Sequence, residues 1–176
     1  MTFGLRFPGL HSCCLRLYLL GSVFGALLHQ RRLLVMHAST IQTARGAVLF
    51  VGDSGHGKST LLGGLGATRY AMLADDVTAV TVDSSSGPVA LASFPHLRLC
   101  ADAAARLDCP LEALPRVHSP GKVPVDKYLV PVTHFCATPL PIHAVYSLNV
   151  HATPDIHLEP MDTVHRFELV GGNTYR

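Results

Sequence analysis

Apolar residues along the chain fall into short runs separated by turn residues, and these runs predict a series of strands with a few helices. Residues 47–51, Ala-Val-Leu-Phe-Val, are unbroken by any polar residue and predict a strand buried on both faces. Residues 40–51 together read as a hairpin turning at Ala44-Arg45-Gly46, with 33–36 as a short strand before it. Residues 70–74 predict another buried strand, which runs into Asp75 and Asp76. Residues 77–82 and 89–93 flank the turn Asp83-Ser84-Ser85-Ser86-Gly87-Pro88 and predict a second hairpin. A short helix is expected over 99–107, a further helical turn over 111–114, and a loop over the Pro-, Gly- and charge-rich residues 115–127. Residues 128–132 and 142–150 predict strands, with 155–159 as a third beside them. Asp162 or Thr163 is expected to cap a last helix through 169, stopped by Gly171-Gly172. Near the start, residues 17–28 are apolar but too short to span a bilayer, Arg16 interrupts the run, and no small-residue cleavage site follows. They predict a packed helix over 15–30, ending at His29-Gln30-Arg31-Arg32.

Composition narrows the function classes. With 176 residues, 48% of them hydrophobic, the chain can build one domain with its own core, expected to span 1–176. A net charge of +2 with no run of Lys or Arg gives no field for a polyanion, so no nucleic acid partner is expected. No stable membrane insertion is expected either, and homo-oligomerisation is left open. The five cysteines form no CxxC pair, which points to reduced thiols and a cytoplasmic protein. The eleven histidines show no HxxxH or HExxH spacing, which weighs against a zinc site.

The chemistry concentrates after the run 47–51. Gly52-Asp53-Ser54-Gly55-His56-Gly57-Lys58-Ser59-Thr60 contains the Walker A spacing of a P-loop. Glycine tolerates the positive φ that such a loop needs, so successive N–H groups can turn inward around phosphate oxygens. A helix starting near Lys58 adds the positive end of its dipole. Gly63, Gly64 and Gly66 predict that this helix is short. Lys58 is the expected partner of the β- and γ-phosphates of ATP, and Ser59 of Mg²⁺. The apolar run ending in Asp75-Asp76 matches a Walker B arrangement, in which a carboxylate supports the metal or its water. Adjacent residues of a regular strand face opposite sides, so the two acids are expected to differ in role. Arg98 and His96 stand equally for a phosphate or substrate contact and for a solvated strand end, while Lys122 reads as a solvated loop residue.

His37-Ala38-Ser39, the loop Gly52 to Ser59, and Leu73-Ala74-Asp75-Asp76 together resemble the C-terminal kinase domain of the HPr kinase/phosphorylase family. Leu20-Gly-Ser-Val-Phe-Gly-Ala-Leu-Leu-His-Gln and Phe94-Pro-His-Leu-Arg-Leu99 look closer to HPr kinase-like proteins of bacterial gene clusters, including lasso-peptide clusters. The resemblance covers residues 19–99, is thin after about 120, and belongs to relatives that extend beyond both ends. It implies an α/β, phosphoenolpyruvate carboxykinase-like P-loop fold, a mixed sheet flanked by helices. It implies ATP and Mg²⁺ as cofactors and a small protein or peptide bearing a serine as acceptor. Residue by residue, it implies Asp76 as acceptor of the serine proton, Asp75 as metal support and His37 as an active-site histidine. The chain departs from the family at Thr60, where the bifunctional enzymes carry glutamate. It also lacks the Glu-Ile-Arg-Gly-Leu-Gly and Pro-Gly-Arg-Asn motifs; Leu140-Pro-Ile-His-Ala stands about where the second belongs. These departures weigh against HPr as the substrate and against phosphorolysis. The alternatives are another P-loop small-molecule kinase or NTPase, and an inactive nucleotide-binding or interaction module.

Overall fold

A computed structural model of the chain describes residues 23–83, 87–119, 125–153 and 155–175. The elements in order are α1 (Phe24–Gln30), β1 (Leu34–Met36), β2 (Ala38–Thr43), β3 (Gly46–Val51), α2 (Lys58–Thr68), β4 (Met72–Ala74), β5 (Thr78–Asp83) and β6 (Gly87–Ala90). They continue with β7 (His96–Cys100), α3 (Ala101–Arg106), a 3₁₀ turn (Leu111–Ala113), β8 (Arg116–Ser119), β9 (Val125–Pro131), β10 (Leu140–Ser147) and α4 (Thr163–Gly172). Seven strands form one mixed sheet in the order β1-β5-β6-β10-β3-β2-β4, and β7-β9-β8 form a second, three-stranded sheet. Strands β3 and β10 pair in parallel, while the pairs of β3 with β2 and of β2 with β4 are antiparallel.

The unbroken apolar run of β3 has the reason expected of it. Alternate residues point to opposite faces of a strand. Ala47, Leu49 and Val51 enter one apolar cluster with Met36, Leu73, Val80 and Ala90, against which Leu169 of α4 packs. Val48 and Phe50 enter the other, with Leu62 of α2, Met72, Leu97, Leu99 and Ala104. Both faces of β3 are therefore covered, and fully burying a side chain such as Leu49 or Leu62 contributes about 1.5–3 kcal/mol.

The antiparallel pairing of β2 places the chemistry. Ala38 lies opposite Val51 on β3, and Thr40 lies opposite Ala74 on β4. The residues that follow β3 and β4, namely Gly52 and Asp75, thus emerge on either side of the start of β2, at His37 to Ser39. Helix α2 begins where the glycine loop ends, with Gly57 as a left-handed N-cap at φ 82°.

Several expectations are corrected. Residues 96–100 form β7, so the helix expected over 99–107 starts only at Ala101. Residues expected as the loop 115–127 include β8 and the start of β9, which pair in register from Arg116↔Tyr128 to Ser119↔Val125. Residues 155–159 form no strand among the described residues. The last helix is capped by Asp162, whose side chain accepts from the His165 N–H, and it runs through Gly171 and Gly172 instead of stopping before them. Of the helix expected over 15–30, α1 accounts for 24–30, and residues 15–22 lie outside the described residues, as does Lys122. Among the described residues no helix is long and apolar enough to cross a membrane.

Candidate functional site

The loop after β3 rises through Gly52, Gly55 and Gly57, at φ 141°, 93° and 82°, all in the region that side chains avoid. A Cβ on Gly55 or Gly57 would meet nothing within 4 Å, so the crest of the loop faces open space. Asp53 and Ser54 are exposed there. A Cβ on Gly52 would lie 2.6 Å from the Leu148 carbonyl oxygen, and the His56 ring is tied to the same oxygen through Nδ1 at 2.9 Å. The end of β10 thus braces the loop from behind.

Lys58 opens α2, yet its side chain is only 7% exposed. Its ammonium turns back and donates to the carbonyl oxygens of Gly52 at 2.6 Å and Asp53 at 3.0 Å. Burial pulls the ammonium below its usual range. The Asp76 carboxylate is the largest force in the opposite direction, with smaller upward pulls from Asp75 and Asp53, while Lys127 adds to the downward shift. Ser59, next on the helix, donates its hydroxyl to Asp75 Oδ1 at 2.9 Å. Ser39 of β2 donates to the same oxygen at 2.6 Å, and the Arg98 N–H of β7 donates to Asp75 Oδ2 at 3.0 Å. Burial raises the Asp75 carboxyl above the usual carboxylate range, and these donors partly offset it.

Asp76 follows in a left-handed turn at φ 69°, a conformation that Asp tolerates better than most residues. Asp76 Oδ2 accepts from the Arg98 guanidinium at 2.6 Å. His37 Nδ1 stands 2.9 Å from the Asp76 main-chain oxygen and 3.8 Å from Asp76 Oδ1. A carbonyl only accepts, so Nδ1 donates in this contact.

No protein-family profile matches the chain, and no curated protein matches it. Among solved structures it is similar to the HPr(Ser) kinase/phosphatase from Coxiella burnetii, with a TM-score of 0.41 and 16% identity. That match covers 74% of this chain and 66% of the other, so this chain spans just under two thirds of that protein's length. A likeness this distant assigns no role to any residue, and the site rests on its own geometry.

The structure brings together most of the residues expected to act. Lys58, Ser59, Asp75, Asp76 and His37 meet at the ends of β2, β3 and β4, with Thr60 in the first turn of α2. Lys58 is expected from the sequence to be an exposed residue of the loop, and this is corrected, since its side chain is buried. Arg98 joins the site through both its backbone and its guanidinium, while His96 is exposed at the start of β7. Three participants had no role assigned from the sequence. Ser39 carried a signal, because it stands two residues beyond His37 and beside the expected aspartates in an antiparallel sheet. Asn173 accepts from the Gly52 N–H at 3.1 Å. The Tyr175 phenol is raised by burial and by the Asp76 carboxylate, with Arg98 opposing. Neither Asn173 nor Tyr175 lies in any motif. Among the described residues no group of three His, Cys, Asp or Glu side chains is arranged to hold a metal ion.

Proposed function

We propose that this chain is an ATP- and Mg²⁺-dependent kinase, HPr kinase-like in its site, that phosphorylates a serine on a small protein or peptide. The observation that carries the reading is the convergence of Lys58, Ser59 and Asp75 directly behind an open glycine crest. That arrangement fits a polyphosphate and its metal. The crest has room where side chains would stand, and the N-terminal amides of α2 lie beneath it. Ser59 and Asp75 offer hard oxygen donors of the kind Mg²⁺ takes, together with phosphate oxygens and water. Mg²⁺, when bound, neutralises charge on the phosphate oxygens.

The chain's own groups divide the remaining work. Lys58 exchanges two neutral carbonyl partners for charged phosphate oxygens, a stronger type of hydrogen bond. Asp75 holds the Ser59 hydroxyl in place and is itself fixed by Ser39 and the Arg98 amide. Asp76 accepts the proton of the acceptor serine. Arg98 occupies Oδ2, so Oδ1, on the His37 side, is the oxygen assigned to that proton. Positioning and charge neutralisation then supply most of the rate.

The Arg98–Asp76 ion pair at 2.6 Å also favours a second reading, a nucleotide-binding module without turnover, because the proposed base is already engaged. Incubation with radiolabelled ATP, Mg²⁺ and serine-bearing acceptor peptides separates the two. Label on serine supports the kinase. Nucleotide binding with no label on peptide and no hydrolysis supports the module and overturns the kinase reading.

A further inference from the structure

We propose that Asn173 is a positioning residue for the glycine loop, acting through Gly52; the role rests on the nucleotide-site reading above. Asn173 follows the last residue of α4, and four hydrogen bonds fix it. Its side-chain Oδ1 accepts from the Gly52 N–H at 3.1 Å, and its Nδ2 donates to the Leu169 oxygen at 2.9 Å. Its main-chain oxygen accepts from the His37 N–H at 2.8 Å, and its own N–H donates to Leu169 at 3.1 Å. One residue therefore holds the start of the loop and the segment carrying His37 at once.

Its anchorage is firm on both sides. Leu169 packs on the cluster beneath β3. Beyond Asn173, Thr174 bridges to Met36, the Tyr175 N–H donates to the Val35 oxygen at 2.7 Å, and the His29 ring meets the Tyr175 oxygen at 2.8 Å. The Tyr175 ring lies where a Cβ on Gly25 would approach it to 2.9 Å. Residues 173–175 thus run as a strap along the otherwise open edge of β1.

Gly52 is the joint on which the loop turns. Its N–H is held by Asn173, its carbonyl by Lys58 at 2.6 Å, and a Cβ there would collide with the Leu148 oxygen. When Lys58 leaves that carbonyl for a phosphate, the Asn173 contact is the polar restraint that keeps Gly52 at φ 141°. Removing it lets the loop sample other paths and lowers the fraction of molecules ready to bind.

The test compares Asn173→Leu with Thr174→Ala, which removes only the Thr174 hydroxyl bond to the Val170 oxygen. Calorimetric titration with Mg²⁺-ATP should give a Kd about 5–10-fold higher for Asn173→Leu, the size of one lost hydrogen bond. KM for ATP should rise in parallel, kcat should hardly change, and Thr174→Ala should match wild type. A purely structural role would lower thermal stability and active fraction but leave KM at the wild-type value. In the nucleotide-free protein, amide exchange at Gly52 should quicken in Asn173→Leu and not in Thr174→Ala. If Asn173→Leu fails to fold, Asn173→Ala, which only truncates the side chain, takes its place. Unchanged Kd and unchanged Gly52 exchange overturn this role while leaving the nucleotide site intact. A folded wild-type chain that binds no nucleotide overturns the functional reading, and this role with it.

Discussion

Asp75 and Asp76 are neighbours in sequence with opposite surroundings. Asp75 is buried and surrounded by neutral donors, whereas Asp76 is partly exposed and paired with an arginine. Asp76→Asn keeps the shape but removes the basic oxygen, and should lower kcat about 10²–10⁴-fold with ATP affinity nearly unchanged. Asp75→Asn should instead raise the Mg²⁺ concentration needed for half-maximal rate, so that added Mg²⁺ restores part of the activity. Rescue of Asp76→Asn by Mg²⁺, with none for Asp75→Asn, would reverse these assignments. Asp75 also has a pH signature. Its folded pKa lies above the usual 3.8, so over the window from 3.8 up to the folded value the native state holds more proton than the unfolded chain. Stability from this group therefore falls as pH rises through that window. Thermal melts from acid to neutral pH should show this downward contribution in wild type and lack it in Asp75→Asn. An identical pH slope in the two proteins would mean that burial does not govern this carboxyl.

At the scale of elements, the strands buried on both faces were the most legible part. Residues 47–51 are apolar without a gap, and only a central strand needs that. The β8–β9 hairpin was not legible, because backbone pairing holds it while Pro115, Pro120, Gly121 and Lys122 give the stretch the composition of a loop. Residues 155–159 misled in the other direction: Ile156 and Leu158 alternate like strand residues, but both are exposed and, among the described residues, the stretch forms no strand. Helix α2 spans Lys58–Thr68 despite three glycines, and one of them has a packing reason. A Cβ on Gly63 would run into Leu107 Cδ1, whereas one on Gly64 or Gly66 would meet nothing within 4 Å. Gly64→Ala and Gly66→Ala should each stabilise the fold by about 0.5–1 kcal/mol through helix propensity. Gly63→Ala should gain less or lose, since Leu107 must shift. Chemical denaturation of the three variants checks this, and an equal gain at all three would deny the close approach of α2 to Leu107.

Over the whole molecule, the candidate site is built from residues far apart in the chain. Sequence spacing exposed those in the glycine loop and after β4, because the loop and its strand are local features. Asn173 was hidden, lying 121 residues from its partner Gly52 with only a helix end to mark it. Arg98 was visible as a charged strand residue, but its partner Asp76 depends on how β7 packs beside the end of β4. The central claim concerns the glycine loop, and Lys58→Met addresses it most directly, because methionine keeps much of the buried stem and removes the ammonium with its two hydrogen bonds. The measurement is calorimetric titration of ATP, with and without Mg²⁺, into wild type and Lys58→Met, each first shown to be folded, followed by label transfer from ATP to a serine peptide by the same two proteins. Wild type should bind ATP with a Mg²⁺-dependent affinity, and Lys58→Met should lose about 10²-fold or more in serine-peptide transfer, as expected when a charge-stabilising group is removed. No ATP binding by folded wild type, or equal binding and transfer by the two proteins, would contradict the account.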